Sequence, residues 1–560
     1  MKKDEAPIKF VLALAVIVAV LGGAAFAISR ALPTREKMDL ESYYKITSED
    51  DVAIVTDSGI SEMRGKRIDG EIYLPYETVS REICGSIFYD RPTGTMIVTT
   101  PTEKIRFDAA NEIREVDGME YVAYGLVNDY SNAKIALLED PARIVVRDER
   151  EYKAELVVND THVRYGADKK SKILTEILEG AEVEILDVGS DGTPGSNKTD
   201  GWTRVRTEDG FFGYIEDKDL DGRVVQKQGE SSGKLGEYTH ILREKKINMV
   251  FHQVTNQATN AALAQSFMDV WGVNVIAPTW FFLDSEAGDQ TILADGGYVA
   301  TAHGLGMQVW AVMNDFDGAA NSGEATQAAL SNDSVRERLV ADTVGQVLAA
   351  GADGINIDYE NVTEECAPYF LQFVREMSIG CRNAGLALSI CNYVPTFTKY
   401  MGRAEQVRVA DYVVCMCYDE HRQGSPKAGS VSSLPFVEEG IRDTLAEVPA
   451  SRMIAAIPFY TRLWMTTSQD APESRALGMT DAQSWIAENG AEVNWENEAA
   501  QNYVEKQDGG TFYQMWIEDA ASVEAKMEIV AESDCAGVAE WKLGFETGDV
   551  WDVIFRHLSS

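Results

Sequence analysis

The sequence predicts a multidomain chain: a C-terminal (β/α)8 TIM barrel with an insertion between strands 7 and 8, preceded by a small all-β barrel, a small α+β domain and an N-terminal transmembrane helix. Three observations carry this prediction. The chain has 560 residues, too many for one core, and domains of roughly 100 to 200 residues predict about three or four of them. Beyond about Tyr238, eight apolar strand-like runs alternate with amphipathic stretches, the pattern of a parallel sheet wrapped by helices. Phe10 to Ser29 is an apolar run without a charge, close to the ~20 residues that cross a bilayer.

Lys2, Lys3 and Lys9 precede that run, and Ala25-Phe26-Ala27 at its end also suits a signal peptidase. Segment 1–37 therefore reads as an uncleaved anchor first and a signal peptide second. Arg30, Arg35 and Lys37 balance the three lysines, so basic residues do not set the orientation. The expected location is the cytoplasmic membrane with the catalytic part outside, or secretion if the segment is cleaved.

A hydrophobic share of 45% and a charged share of 25% are those of a globular protein. With 51 Lys+Arg against 90 Asp+Glu, the formal charge of -39 repels phosphate backbones, and nucleic acid is excluded as a partner. The seven cysteines lie mostly in apolar segments without CxxC spacing and read as small buried hydrophobes. The six histidines show no ligand spacing, and no Gly-rich loop opens a helix as a phosphate cradle. No metal or cofactor is expected.

Segment 50–152 shows short alternating runs, such as Glu71 to Pro75 and Thr95 to Thr99, with one short helix over Glu77 to Cys84. Through Tyr73-Leu-Pro-Tyr76 and Phe88-Tyr-Asp90 it resembles the small α+β domain named after the N-terminal region of copper amine oxidases. No histidine precedes His162, so the resemblance does not bring copper with it. Segment 155–224 resembles a bacterial Src-homology-3-like domain through Val163-Arg164, Gly201-Trp202, Val205 and Gly210 to Ile215; Trp202 and Tyr214 suit either ligand stacking or a core. Residues 226–236 read QKQGESSGKLG, a flexible linker, and a new domain over 238–560 follows.

In that domain the strands fall at Ile247 to Val254, Val273 to Trp280, Met307 to Met313, Gly354 to Glu360, Leu386 to Asn392, Tyr412 to Tyr418, Met453 to Phe459 and Gly537 to Leu543. The long gap before the last, with Asn494-Trp495 and Phe512 to Trp516, holds an extra subdomain. The fourth strand reads Asp353-Gly-Ile-Asn356-Ile-Asp358-Tyr-Glu360. Alternate strand side chains share a face, so Asn356, Asp358 and Glu360 point into the barrel and Ile355, Ile357 and Tyr359 point to the helices. Glu360 falls at the C-terminal end of the strand, where such barrels place their active sites. Burying two acids costs several kcal/mol unless they are partnered, which points to catalysis ahead of a purely internal polar network.

This strand resembles the signature Asp-x-x-Asp-x-Asp-x-Glu of glycoside hydrolase family 18. Three further elements follow in family order: Met416-Cys-Tyr418-Asp419, Tyr460-Thr-Arg462, and Trp541 in the last strand. The resemblance implies a substrate-assisted, retaining mechanism in which the sugar's own 2-acetamido group is the nucleophile. Glu360 is then the acid and Asp358 orients the acetamido N–H and stabilises the cationic intermediate. Tyr418 bonds the acetamido carbonyl and Trp541 is the floor under the sugar. Asn356, Asp353, Met416, Asp419, Tyr460 and Arg462 complete the implied substrate site.

Asn356 departs from the family pattern, which has Asp at this position. Its NH2 is expected to donate to Asp358 and hold it ionised over a wide pH range. The asparagine also resembles the spore-cortex and peptidoglycan branch of the family, in agreement with the Src-homology-3-like segment. The implied partner is a polysaccharide of the cell wall, peptidoglycan or chitin-like. The alternatives are a chitinase and a non-catalytic wall-binding lectin or scaffold.

Overall fold

The structure is a computed structural model and describes residues 32–186, 201–467 and 471–559. The expected transmembrane segment, Phe10 to Ser29, lies outside the described residues. No helix among the described residues is long and apolar enough to cross a membrane. The chain divides into two compact units, Met1–Ile87 with Ala109–Leu235, and Phe88–Asp108 with Gly236–Ser560.

The second unit contains the barrel. Its strands are β1 (Ile247–His252), β2 (Val275–Leu283), β3 (Gln308–Asn314), β4 (Gly354–Asp358), β5 (Ala387–Tyr393), β6 (Tyr412–Met416), β7 (Met453–Pro458) and β8 (Gly537–Trp541). Each pairs in parallel with its neighbours, and β8 pairs with both β7 and β1, which closes the sheet. All eight runs anticipated from sequence are strands. Their two-residue period sorts side chains into two apolar layers. Ile355, Ile357 and Ile390 face outward onto Phe370, Phe373 and the other helical residues. Met249, Phe251, Trp310, Val312, Val414 and Ala539 fill the lumen.

The two helices flanking β4 fix its position. Asp333–Ala350 starts at Asn332, whose side chain accepts from the Ser334 and Val335 N–H groups, and stops at Gly351 with φ 78°. Ala367–Ala384 stops at Gly385 with φ 68°. Both glycines adopt the left-handed conformation that ends a helix at little cost, and they turn the chain directly into β4 and β5.

Between β7 and β8, the expected extra subdomain is a five-stranded antiparallel sheet from Tyr460–Thr467 to Thr511–Ile517, with helix Met479–Asn489. Its core is Leu463, Leu477, Ala482, Val504, Met515 and Ile517.

Residues 88–108, part of the stretch read from sequence as one α+β domain, pack in the barrel unit. The strands Ile87–Asp90, Thr95–Thr99 and Lys104–Asp108 form a small sheet. Lys104 and Arg106 both bond Asp333 at the start of the helix after β3. Arg336, with no exposed surface, pairs with Asp90, Asp333 and Glu376. Gln372 Nε2 donates to Thr99 Oγ1 at 2.9 Å.

The first unit holds a seven-stranded mixed sheet over Asp51–Arg147 and a seven-stranded antiparallel sheet over Glu151–Gln228. Tyr43, Tyr44, Val55 and Val145 share one core with Val163, Val205, Phe211 and Ile215. Trp202 is buried, which answers its two readings in favour of packing; Tyr214 is half-buried.

Candidate active site

β4 carries Asn356 and Asp358 on its lumen face, both buried, and Glu360 follows at the C-terminal mouth. The register sets Asn356 opposite Ser389 of β5. Asn356 Nδ2 donates to Ser389 Oγ at 2.8 Å, and its Oδ1 accepts from the Cys391 thiol at 3.3 Å. The amide is thus committed to β5, and the hydrogen bond expected from Asn356 to Asp358 is not formed. Asp358 is not held ionised by that route either. Burial pushes its carboxyl up to about 7, the neighbouring Cys391 side chain opposes this, and the charges of Asp315 and Asp317 push in the same direction as burial. Its Oδ1 is buried and has no hydrogen-bond partner among the described residues.

Glu360 accepts a hydrogen bond at Oε2 from the Tyr393 hydroxyl, at the end of β5. Its backbone N–H donates to Asp315 Oδ1 at 2.8 Å, and the Asn361 N–H donates to the same carboxylate. Asp315 also accepts from Thr326 Oγ1. Burial pushes the Glu360 carboxyl well above its ordinary value; Asp358 adds to this, the Tyr393 bond opposes it, and Asp419 and Asp315 add smaller contributions. A shift in this direction favours the protonated form that a general acid requires.

Tyr418 is buried beside this pair, and burial raises its hydroxyl, with Asp358 acting in the same direction. Its ring meets Tyr460 edge-on at 6.4 Å. Tyr460 donates to Asp419 Oδ1 at 2.5 Å. Met416 lies in the lumen layer with Tyr418 and Tyr460. Arg462, on the first strand of the subdomain, donates to Ser474 Oγ at 3.3 Å, and its charge bears on Tyr460. Trp541 is half-buried with its ring 5.5 Å from Phe251.

Asp353 does not join them. It precedes β4 at the opposite end of the barrel, where its Oδ2 bonds the Val309 N–H and His303 Nε2, both at 2.8 Å. Its odd position also puts it off the Asn356–Asp358–Glu360 face, so the motif assigned it a place that the strand period denies.

Tyr393, Asp315, Ser389 and Cys391 are site residues that sequence reasoning missed. Tyr393 ends β5 and Asp315 directly follows β3. The rule that polar residues at the C-terminal ends of barrel strands face the site would have found both.

Residues 309–546 match the family described as Glycosyl hydrolases family 18, a span that includes Asp315, Asn356, Asp358, Glu360, Tyr393, Tyr418, Tyr460 and Trp541. Over that span the chain is similar to the family 18 glycosyl hydrolases. The cortical fragment-lytic enzyme of Bacillus subtilis is 25% identical over 249 residues, 43% of this chain and 58% of that protein. The chain thus spans little more than half the length of this curated relative. The chitinase from Chromobacterium violaceum superposes with a TM-score of 0.50 at 20% identity, covering 56% of this chain and 99% of that one. The Bacillus cereus spore cortex-lytic enzyme SleL gives a TM-score of 0.50 at 18% identity, covering 57% and 76%. These two likenesses concern the fold alone.

Proposed function

We propose that this protein is a glycosidase of the cell wall that hydrolyses N-acetylglucosamine-containing glycan, with peptidoglycan as its substrate class. One observation carries the reading: Glu360 at the barrel mouth, its carboxyl pushed well above the ordinary value by burial, beside Asp358, whose buried Oδ1 has no donor among the described residues. A buried acceptor without a partner costs about 1–3 kcal/mol, and an acetamido N–H from a sugar would relieve it.

The sequence of events follows from these positions. Asp358 takes the acetamido N–H and Tyr418 donates to the acetamido carbonyl, which brings that oxygen towards C1. Glu360 gives its proton to the glycosidic oxygen, the bond from C1 to that oxygen breaks, and the acetamido oxygen bonds C1 to form an oxazolinium ion. Ionised Asp358 offsets its charge. Glu360, now a carboxylate, removes a proton from water as the water oxygen adds to C1. The ring reopens, the acid is regenerated and the configuration is retained. Trp541 supports the sugar from below, and Tyr460, Asp419, Met416 and Arg462 line its surroundings.

The name of the cortical fragment-lytic relative supports peptidoglycan. Chitin uses the same groups and is the second reading. In this proposal segment 1–37 holds the protein at the cytoplasmic membrane with the barrel outside, and segments 50–152 and 155–224 are accessory domains at the wall. The test is incubation of the full chain, in detergent, with purified peptidoglycan and with chitin oligomers, reading new ends by mass spectrometry. Peptidoglycan cleavage that disappears in Glu360→Gln supports the proposal. Cleavage of chitin alone moves the substrate to the second reading. Wall binding without any product from the wild type replaces the enzyme with a lectin.

A further inference from the structure

The mouth of the barrel is acidic. Asp315, Asp317, Asp358, Glu360 and Asp419 follow or end its strands, in a chain of formal charge -39. Lys542 stands against this trend, one residue after Trp541 at the end of β8.

Its Nζ donates to Gln253 Oε1 just past β1 and lies 4.3 Å from the centroid of the Phe545 ring. Both partners are uncharged, and no ion pair joins Lys542 to a carboxylate among the described residues. Burial lowers its pKa, and Asp317 raises it from a distance. The same Asp317 bears on Asp358, so the lysine and the catalytic pair share one electrostatic field. The lysine is half-buried. Lys526 shows the alternative in the same unit: fully buried, it is paired with both oxygens of Glu518. A cation held by an amide and a ring is oriented but not neutralised, and its charge remains available to an anion brought by a ligand.

We propose that Lys542 is a specificity residue that binds a carboxylate carried on the glycan beside the sugar over Trp541. Muramyl residues supply such a group, as the lactyl ether itself or as the peptide attached to it, and chitin has none. The inference rests on the glycosidase reading above and names the substrate feature that separates its two candidate polymers.

The experiment measures equilibrium binding by calorimetry to the full chain carrying Glu360→Gln, so that ligand is not consumed, with and without Lys542→Gln or Lys542→Arg. The probes are peptide-free oligomers alternating N-acetylglucosamine and N-acetylmuramic acid, the same oligomers with carboxyls converted to methylamides, peptide-bearing fragments, and chitin tetramer. Lys542→Gln is expected to weaken the peptide-free acidic oligomer roughly tenfold or more, with Lys542→Arg recovering most of the loss and the loss confined to charged ligands. If the loss appears only with peptide-bearing fragments, the carboxylate recognised is that of the peptide.

Equal losses for acidic, methylamide and chitin ligands would make Lys542 a structural support of Trp541 and overturn the inference. So would unchanged binding of the acidic oligomers. Chitin binding that ignores both Lys542 variants, without acidic oligomer binding, overturns it while leaving a glycosidase in place. If no glycan is bound here and none is cleaved by the wild type, the glycosidase reading itself falls.

Discussion

The buried acids of the barrel unit differ in their surroundings. Glu518, at the foot of the subdomain, accepts from Lys526 Nζ at both oxygens, from Gln501 Nε2 at 2.7 Å and from Ser522 Oγ at 2.8 Å. Burial still raises its carboxyl, with the Lys526 charge as the main counterweight. Asp358 has an oxygen without a partner among the described residues, and Glu360 has one tyrosine. A full set of donors fixes a charge in place and serves the fold. An incomplete set leaves the proton free to move and the acceptor free for a substrate.

The sharpest test of this contrast is Glu360→Gln. Without the acid, glycan turnover should fall by about 10³-fold, while the melting temperature stays the same or rises because a buried acid with few donors is gone. Single-turnover assays and calorimetric melting read the two effects. At Glu518 the roles reverse. Lys526→Met leaves a buried acid unpaired and should cost about 3–5 kcal/mol in urea unfolding, most of it recovered in the double variant Glu518→Leu/Lys526→Met.

Glu540 could break the contrast. It is fully buried with neither oxygen partnered among the described residues, yet it lies on β8 one residue before Trp541, off the lumen face. Burial raises its carboxyl well above the ordinary value, with Glu546 adding to the effect. A folded-state pKa above the unfolded one gives stability that is complete below the unfolded value and lost as pH rises towards the folded one. The expected slope is about 1.4 kcal/mol per pH unit above ~4.3. Glu540→Gln should remove that slope in denaturation series between pH 5 and 8 and leave turnover largely intact. A large loss of turnover would mean that an unpartnered acid serves catalysis from outside the lumen as well.

The smallest effect is expected from Tyr393→Phe. The tyrosine bond favours ionised Glu360, so its loss raises the carboxyl further and moves the basic limb of the kcat profile to higher pH. Lost positioning should lower kcat about tenfold with little change in KM. An unmoved basic limb would separate Tyr393 from the acid.

What sequence made legible was local. The period of β4 placed Asn356, Asp358 and Glu360 on one face, and apolar runs placed all eight strands and the subdomain between the last two. What it left hidden depends on register between distant segments. The partners of Asn356 are Ser389 and Cys391, which only the pairing of β4 with β5 brings opposite, and the expected bond to Asp358 failed for that reason. Tyr393 and Asp315 reach Glu360 from β5 and from the end of β3, with no motif to mark them. Asp353 shows the reverse error, a motif position accepted against the strand period.

Residues 88–108 give the fold a consequence for how the chain can be cut or recombined. The backbone passes between the two compact units three times, leaving the first at 88, re-entering it at 109 and leaving it again at 236. The barrel is therefore not a cassette that begins at 238. Severed there, it would lose Asp90 and Lys104 from around Arg336 and Asp333, and Thr99 from Gln372, uncovering charges the intact chain keeps dry. During synthesis, strands made early must wait for helices made some 230 residues later, as the bond from Lys104 to Asp333 requires. Residues 88–108 and the helices they pair with thus share one folding history.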